Sequence, residues 1–111
     1  MKPELRAFTT ALRRMLNTHT HWTRALERYL DLSREYEPVR LELKRQQQLF
    51  IRRPTSVVRR PTSELDAAMH ACRRARNRLN LARAQYIMKR DIYQSALSEL
   101  HHREAALAGS Q

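Results

Sequence analysis

Residues 52–63 read RRPTSVVRRPTS, a basic segment in which Arg-Arg-Pro-Thr-Ser occurs twice. Its two prolines stop a continuous helix, because each removes a backbone donor and disfavours helical geometry in the residue before it. The segment lies near the middle of a chain of 111 residues. We therefore predict that it is a turn between two arms of similar length.

On each side of this turn, an apolar or aromatic residue recurs every seven positions, and the two series together contain every aromatic residue of the chain. A heptad stripe of this length is typical of coiled coils. If the chain folds back on itself, the series align one to one, with Phe50 opposite Leu65 and Phe8 opposite Leu107. The members are Phe8, Met15, Trp22, Tyr29, Tyr36, Leu43 and Phe50, then Leu65, Cys72, Leu79, Tyr86, Tyr93, Leu100 and Leu107.

The pattern predicts an all-α fold, a long antiparallel two-helix coiled-coil hairpin that forms one domain over 1–111. We expect helix 1 at about 4–51, a basic Pro-rich turn at 52–62 and helix 2 at about 63–108. Ser63, with Asp66 three residues later, fits a capping box at the start of helix 2. Pro38 should fall on the outer face of helix 1, where a bend disturbs the packing least.

A second stripe is weaker, and it bears on oligomeric state. We expect the residues three before each member of the first series to face small side chains of helix 2. Ser33, Arg40 and Gln47 are poor core residues there, since an unpaired buried charge is costly. We therefore expect these layers to be open to solvent or covered by another element. Because a lone two-helix hairpin is only marginally stable, we predict a homo-oligomer or a partner helix along the side. The expected stripe comprises Leu5, Leu12, His19, Leu26, Ser33, Arg40 and Gln47, facing Ala68, Ala75, Ala82, Lys89, Ala96 and Arg103.

The formal net charge is +11, which favours an anionic partner such as nucleic acid, an acidic lipid surface or an acidic protein. We expect Glu42 to pair with Arg73 and Glu37 with Arg78 across the hairpin. The predicted basic tip comprises Lys44, Arg45, Arg52, Arg53, Arg59 and Arg60. The basic run of helix 2 comprises Arg73, Arg74, Arg76, Arg78 and Arg83.

Other features argue against catalysis. The sequence has one Gly and no Gly-rich phosphate loop or nucleophile motif, and a hairpin offers no closed site. We expect no enzyme activity, no cofactor and no metal, with the five histidines solvated. The single cysteine, Cys72, allows no internal disulfide and should pack as a small apolar residue. No apolar run approaches the length of a membrane span.

The basic, Thr-containing segment 1–26 is similar in composition to a mitochondrial targeting helix. The heptad interpretation is favoured, because cleavage would leave Leu100 and Leu107 without partners, so we expect a cytoplasmic protein. The repeated Arg-Arg-Pro-Thr-Ser also resembles the substrate pattern of basophilic kinases, although a Pro-stiffened basic turn explains the same residues. The potential phosphorylation sites are Thr55, Ser56, Thr62 and Ser63.

These observations favour a non-enzymatic helical protein–protein interaction module that acts through its coiled-coil surface and basic tip. In shape and length alone, the predicted hairpin is similar to the small hairpin stalk proteins of flagellar and type III secretion ATPases. That resemblance implies an adaptor, assembly factor, export chaperone or stalk. The alternative is a basic helical protein that binds nucleic-acid phosphates through the tip and the helix 2 arginine run.

Overall fold

The computed structural model describes residues 2–52 and 62–109. Helix α1 spans Pro3–Ile51 and helix α2 spans Ser63–Gly109. The two long helices contact each other in an all-α antiparallel hairpin, which confirms the predicted fold class. The observed bounds lie within one residue of those expected. Most of the predicted turn, 53–61, lies outside the described residues.

The beginning of each helix follows from local chemistry. Pro3 is the first residue of α1, a position where the missing N–H would have had no helical acceptor. At the start of α2, the Thr62 hydroxyl accepts a hydrogen bond from the backbone N–H of Leu65, at 3.0 Å. Thr62 is therefore the N-cap, and the predicted capping box on Ser63 is wrong because Ser63 is already the first helical residue.

Helix α1 runs without interruption through Pro38, whose ring is exposed. The threonines of α1 are also accommodated within the helix. Each of the following donates its side-chain hydroxyl to the backbone carbonyl four residues earlier: Thr9, Thr10, Thr18, Thr20 and Thr23. These bonds satisfy the hydroxyl groups locally and leave the apolar stripe of α1 free to pack.

The hairpin divides into two compact units. Unit 1 contains residues 1–27 and 83–111, and unit 2 contains residues 28–82. Each unit pairs a segment of α1 with a segment of α2, so each has its own helix–helix interface. The candidate sites described below lie within one unit or the other.

The first heptad series of α1 is half-buried throughout its length, and Leu65, Cys72 and Leu100 of the α2 series are buried. The expected second stripe of α1 is covered only in part: Leu12, Leu26 and Ser33 are half-buried, whereas Leu5 and His19 are exposed. Arg40 and Gln47 are exposed, as expected for layers open to solvent. The other flank of the aromatic series, three residues after each member, is covered more consistently. Within residues 2–52 this flank is uncharged; Ala11 is buried, and its half-buried members are Thr18, Ala25, Leu32, Val39 and Gln46.

In the stripe predicted for α2, three residues after each member of its series, the four alanines are buried, Lys89 is half-buried and Arg103 is exposed. These alanines are nearly inaccessible, with Ala82 at 2% and Ala96 at 1% exposure. A side chain as small as alanine is covered this fully only when a neighbouring helix approaches closely. The buried part of the interface thus consists mainly of small side chains, beside the half-buried aromatic series of α1.

Candidate functional site

The predicted basic tip is only partly described. Lys44, Arg45 and Arg52 are exposed at the end of α1. Arg45 is bound in an ion pair with Glu42, with Nη2 and Oε1 2.8 Å apart. The remaining tip residues, Arg53, Arg59 and Arg60, lie outside the described residues, as do the potential phosphorylation sites Thr55 and Ser56. Of the other two, Ser63 is exposed, whereas the Thr62 hydroxyl serves as the N-cap of α2.

The basic run of α2 is an exposed surface, since Arg73, Arg74, Arg76, Arg78 and Arg83 are all exposed. Within residues 2–52 and 62–109, none of these arginines forms an ion pair. Their positive charge is therefore available to a partner, and the basic run is a real surface feature rather than a by-product of packing.

One part of this run has a defined shape. Arg74, Asn77 and Arg78 line an open depression of about 400 Å³ in unit 2. Leu81 follows on the same side of the helix, three and four residues after Arg78 and Asn77, and is 62% exposed. We refer to these four residues as the outer α2 face. It combines two guanidinium groups with an exposed large apolar side chain.

The expected ion pairs across the hairpin are wrong. Glu42 pairs with Arg45 and Glu37 pairs with Arg40, each three residues along the same helix. All ion pairs among the described residues join residues of one helix. Side chains three or four residues apart on a helix are neighbours on its surface. Glu37 and Glu42 therefore reach an arginine of α1 without extending across the helix–helix interface.

These ion pairs lower the pKa values of the Glu37 and Glu42 carboxyl groups. Hydrogen bonds from Arg45 and from Gln46 hold the pKa of Glu42 at about 2. The hydrogen bond from Arg40 lowers the pKa of Glu37 in the same way. Both carboxylates are thus paired with arginines of α1. They do not compensate the positive charge of the α2 arginines.

Cys72 is a buried free thiol in unit 2, with 2% of its surface exposed. Its Sγ donates to the Tyr36 hydroxyl at 3.9 Å and accepts from the Arg76 guanidinium at 4.0 Å. It also borders a shallow cavity of about 190 Å³ together with Leu43. Cys72 therefore packs between Tyr36 and Leu43 of α1, and not against Leu43 alone.

Unit 1 contains an aromatic cluster at the helix interface. The rings of Trp22 and Tyr93 are stacked, and His19 lies edge-on to both, with centroids 5.7 and 5.2 Å away. Two donors here, Trp22 Nε1 and Arg90 Nε, are buried without a hydrogen-bond partner within the described part of the chain. The Arg90 guanidinium also lies 6.0 Å from the centre of the Tyr86 ring.

A larger groove lies elsewhere in unit 1, along one side of the helix pair. It encloses about 430 Å³, and its apolar floor includes Ala7 and Ala11. Its other lining residues are Pro3, Arg6, Thr10, Arg14, Glu99 and Arg103. We call this feature the N-terminal groove. Its volume is in the range of sites that accept apolar side chains or small ligands.

The sequence did not single out this groove. One sequence signal was present on α1, where the arginines Arg6 and Arg14 lie close to the alanines Ala7 and Ala11. This pattern could have indicated a groove with a floor of small residues and charged sides. Which α2 residues complete it depends on the helix register, which brings Glu99 and Arg103 to the opposite wall.

Two further findings concern the described residues as a whole. No group of three or more His, Cys, Asp or Glu side chains is arranged to hold a metal ion within residues 2–52 and 62–109. In that same part of the chain, neither helix contains a stretch that is long and apolar enough to cross a membrane. His101 and His102 are exposed, whereas the ring of His19 contacts the aromatic cluster.

Comparison of the chain with models of known protein families, with curated proteins and with solved structures finds no match.

Proposed function

We propose that this chain is a non-enzymatic helical interaction module, an adaptor, assembly factor or secretion-type stalk or chaperone, that binds a protein partner through its outer helix surfaces and basic tip. The supporting observation is the outer α2 face. There, Arg74 and Arg78 flank a depression, and Leu81 is 62% exposed beside them. Arginine is enriched at protein–protein interfaces, and the exposed leucine beside these arginines offers apolar surface that a protein partner can cover.

The same face gives less support to nucleic-acid binding. Arg73, Arg74, Arg78 and Arg83 would suit phosphate contacts. However, Leu81 gains nothing from a phosphate backbone, and the aromatic rings that could stack on bases are the half-buried members of the heptad series. Nucleic-acid binding remains the second candidate because these arginines form no ion pair in the part of the chain that the structure describes.

Catalysis forms no part of the proposal. Binding requires only that side chains be presented in a fixed arrangement, which two packed helices provide. The proposal keeps the cytoplasmic location that the sequence led us to expect. Self-association would be a second means of covering exposed apolar side chains such as Leu81.

The test is affinity capture of the tagged full chain from native lysate, with and without nuclease, followed by mass spectrometry. Two variants separate the candidates, Arg74→Glu/Arg78→Glu and Leu81→Ser. We expect one dominant protein that survives nuclease and is lost with both variants. The matched control, Arg13→Glu/Arg24→Glu, makes the same charge change at exposed positions of α1 and should retain the partner.

Nucleic-acid binding predicts a different result. Captured material would then disappear with nuclease and fall steeply with salt. Leu81→Ser would have no effect, because the contacts are to phosphates. That outcome would refute the protein-partner proposal and make the arginine run of α2 the functional surface.

A further inference from the structure

We propose that the N-terminal groove is a docking site for an acidic amphipathic helix of another protein, which lies against α1 and α2 as a third helix. This inference deepens the interaction function proposed above and rests on it. The site differs from the outer α2 face, because the groove is in unit 1 and that face is in unit 2.

The floor of the groove fits a helix. Pro3, Ala7, Thr10, Ala11 and Arg14 recur at helical spacing, so they form one continuous strip on α1. Small side chains at the centre of that strip allow a third backbone to approach closely. The groove volume of about 430 Å³ accommodates several large apolar side chains from such a helix.

The walls of the groove select for acidic flanks. Arg6 and Arg14 are exposed on the α1 side, and Arg103 is exposed on the α2 side. The only acidic lining residue is Glu99, and it is already bound to Arg103 with Nε and Oε1 2.7 Å apart. Among the residues that the structure describes, Arg6 and Arg14 form no ion pair. Three arginines against one carboxylate give the lining a net positive charge.

An apolar floor between positive walls matches a helix whose apolar stripe is bordered by Glu or Asp. The apolar side chains would fill the groove, and the carboxylates would meet Arg6 and Arg14. A basic amphipathic helix would be repelled by the same walls, so the groove discriminates by charge as well as by shape.

The test is a selection against the full chain from a displayed library of 20-residue helices. Every member has leucine at the apolar positions, and the flanking positions vary among Glu, Gln, Lys and Ser. We expect recovered helices to be enriched in Glu at the flanks. Their binding should weaken on the order of tenfold or more with Arg6→Glu/Arg14→Glu.

Three controls locate the binding site. Arg13→Glu/Arg24→Glu makes the same charge change at exposed positions outside the groove and should weaken binding only slightly. Thr10→Trp fills the groove without altering charge and should also abolish binding. Circular dichroism of each variant should show unchanged helicity, since all the substituted residues are exposed.

Several results would overturn the inference. These are enrichment of Lys or neutral flanks, no enrichment over the input library, and equal loss of binding in the two double charge variants. Sedimentation of the chain alone provides a further check. A dimer that dissociates in Arg6→Glu/Arg14→Glu would identify a second copy as the occupant and would likewise overturn it. None of these results concerns the outer α2 face. The proposed function is tested separately, by the capture experiment with the Arg74→Glu/Arg78→Glu and Leu81→Ser variants.

Discussion

The indole of Trp22 lies parallel to the phenol ring of Tyr93, with ring centroids 5.1 Å apart and planes inclined by 12°. Each residue belongs to the heptad series of its own helix, so this contact joins the two stripes in unit 1. The Trp22 Nε1 donor is nonetheless buried without an acceptor in the described structure. The pair therefore combines a favourable ring contact with an unsatisfied polar atom.

That combination predicts different costs for two substitutions. Trp22→Ala should lower the free energy of unfolding by about 2–4 kcal/mol, because it removes the stacked ring and leaves a space. Trp22→Phe should cost clearly less, since it keeps an aromatic ring against Tyr93 and removes the buried N–H. Urea unfolding followed by circular dichroism measures both. Equal destabilisation by the two changes would show that the indole nitrogen has a partner in solution.

The close approach of the helices predicts that buried alanines cannot be enlarged. Ala96→Leu should lower the free energy of unfolding by about 1–3 kcal/mol, because the side chain has 1% exposure and no space to expand. The matched control is Ala84→Leu, at an exposed position of the same helix and the same unit. It should change stability by less than about 0.5 kcal/mol. Tolerance of Ala96→Leu would mean that the helices are farther apart than the structure shows.

The local ion pairs predict the titration of Glu42. Its pKa is held at about 2, below the ordinary value of 4.5, so the charged form stabilises the folded chain above pH 4.5. That contribution is lost as the pH falls through about 2. It is small, because exposed pairs are screened by solvent. NMR titration of the carboxyl group should show the low midpoint.

Two arginine variants identify the partner of Glu42. Arg45→Gln should move the Glu42 midpoint towards 4.5, since the guanidinium of Arg45 is the largest cause of the shift. Arg73→Gln should leave it unchanged, because Arg73 is not among the groups that shift the pKa of Glu42 and, within residues 2–52 and 62–109, forms no ion pair with it. A response to Arg73→Gln would restore the ion pair across the hairpin that the sequence led us to expect.

The burial of Cys72 predicts slow thiol chemistry. With 2% exposure, its Sγ should react with a disulfide reagent only when unit 2 opens locally, at least ~100-fold more slowly than in urea. Cys72→Ala/Ala67→Cys moves the thiol to an exposed position of the same helix and should react at the unfolded rate. Rapid modification of Cys72 in the native chain would contradict the packing of Tyr36 over it.

The fold was predictable because its signal is distributed along the chain. Residues at intervals of seven from Phe8 to Phe50 and from Leu65 to Leu107 specify two long helices, and the two prolines of the segment between them end the first helix. No single residue is decisive, so local exceptions such as Pro38 do not change the outcome. The N-cap of α2 was misplaced by one residue, from Thr62 to Ser63, because both residue types are good N-caps.

The flank of α1 that is covered more consistently is not the one that the sequence favoured. Both flanks contain apolar residues, and Leu5, Leu12 and Leu26 suggested the flank that the structure covers less consistently, since Leu12 and Leu26 are half-buried but Leu5 is exposed. The cost of burying Arg40 decided against that side, and uncharged Val39 lies on the other flank. The periodicity of seven does not distinguish these two choices.

The candidate sites were predictable only in part. Sequence alone identified the basic run of α2, but it paired Glu37 and Glu42 with the wrong helix, because level positions on two helices do not determine which arginine is nearest. It also missed the N-terminal groove. That groove depends on Ala11 and Arg103 coming close together, although they are far apart in sequence.

The ion pairs described above each lie within one helix, while the interface between the helices is formed by uncharged side chains, many of them small. We expect mutation of the outer surface to be separable from mutation of the interface. Evolutionary relatives of this chain would then differ freely in their external charges and partner preferences. What they would share is the order of bulky and compact residues along the two facing stripes.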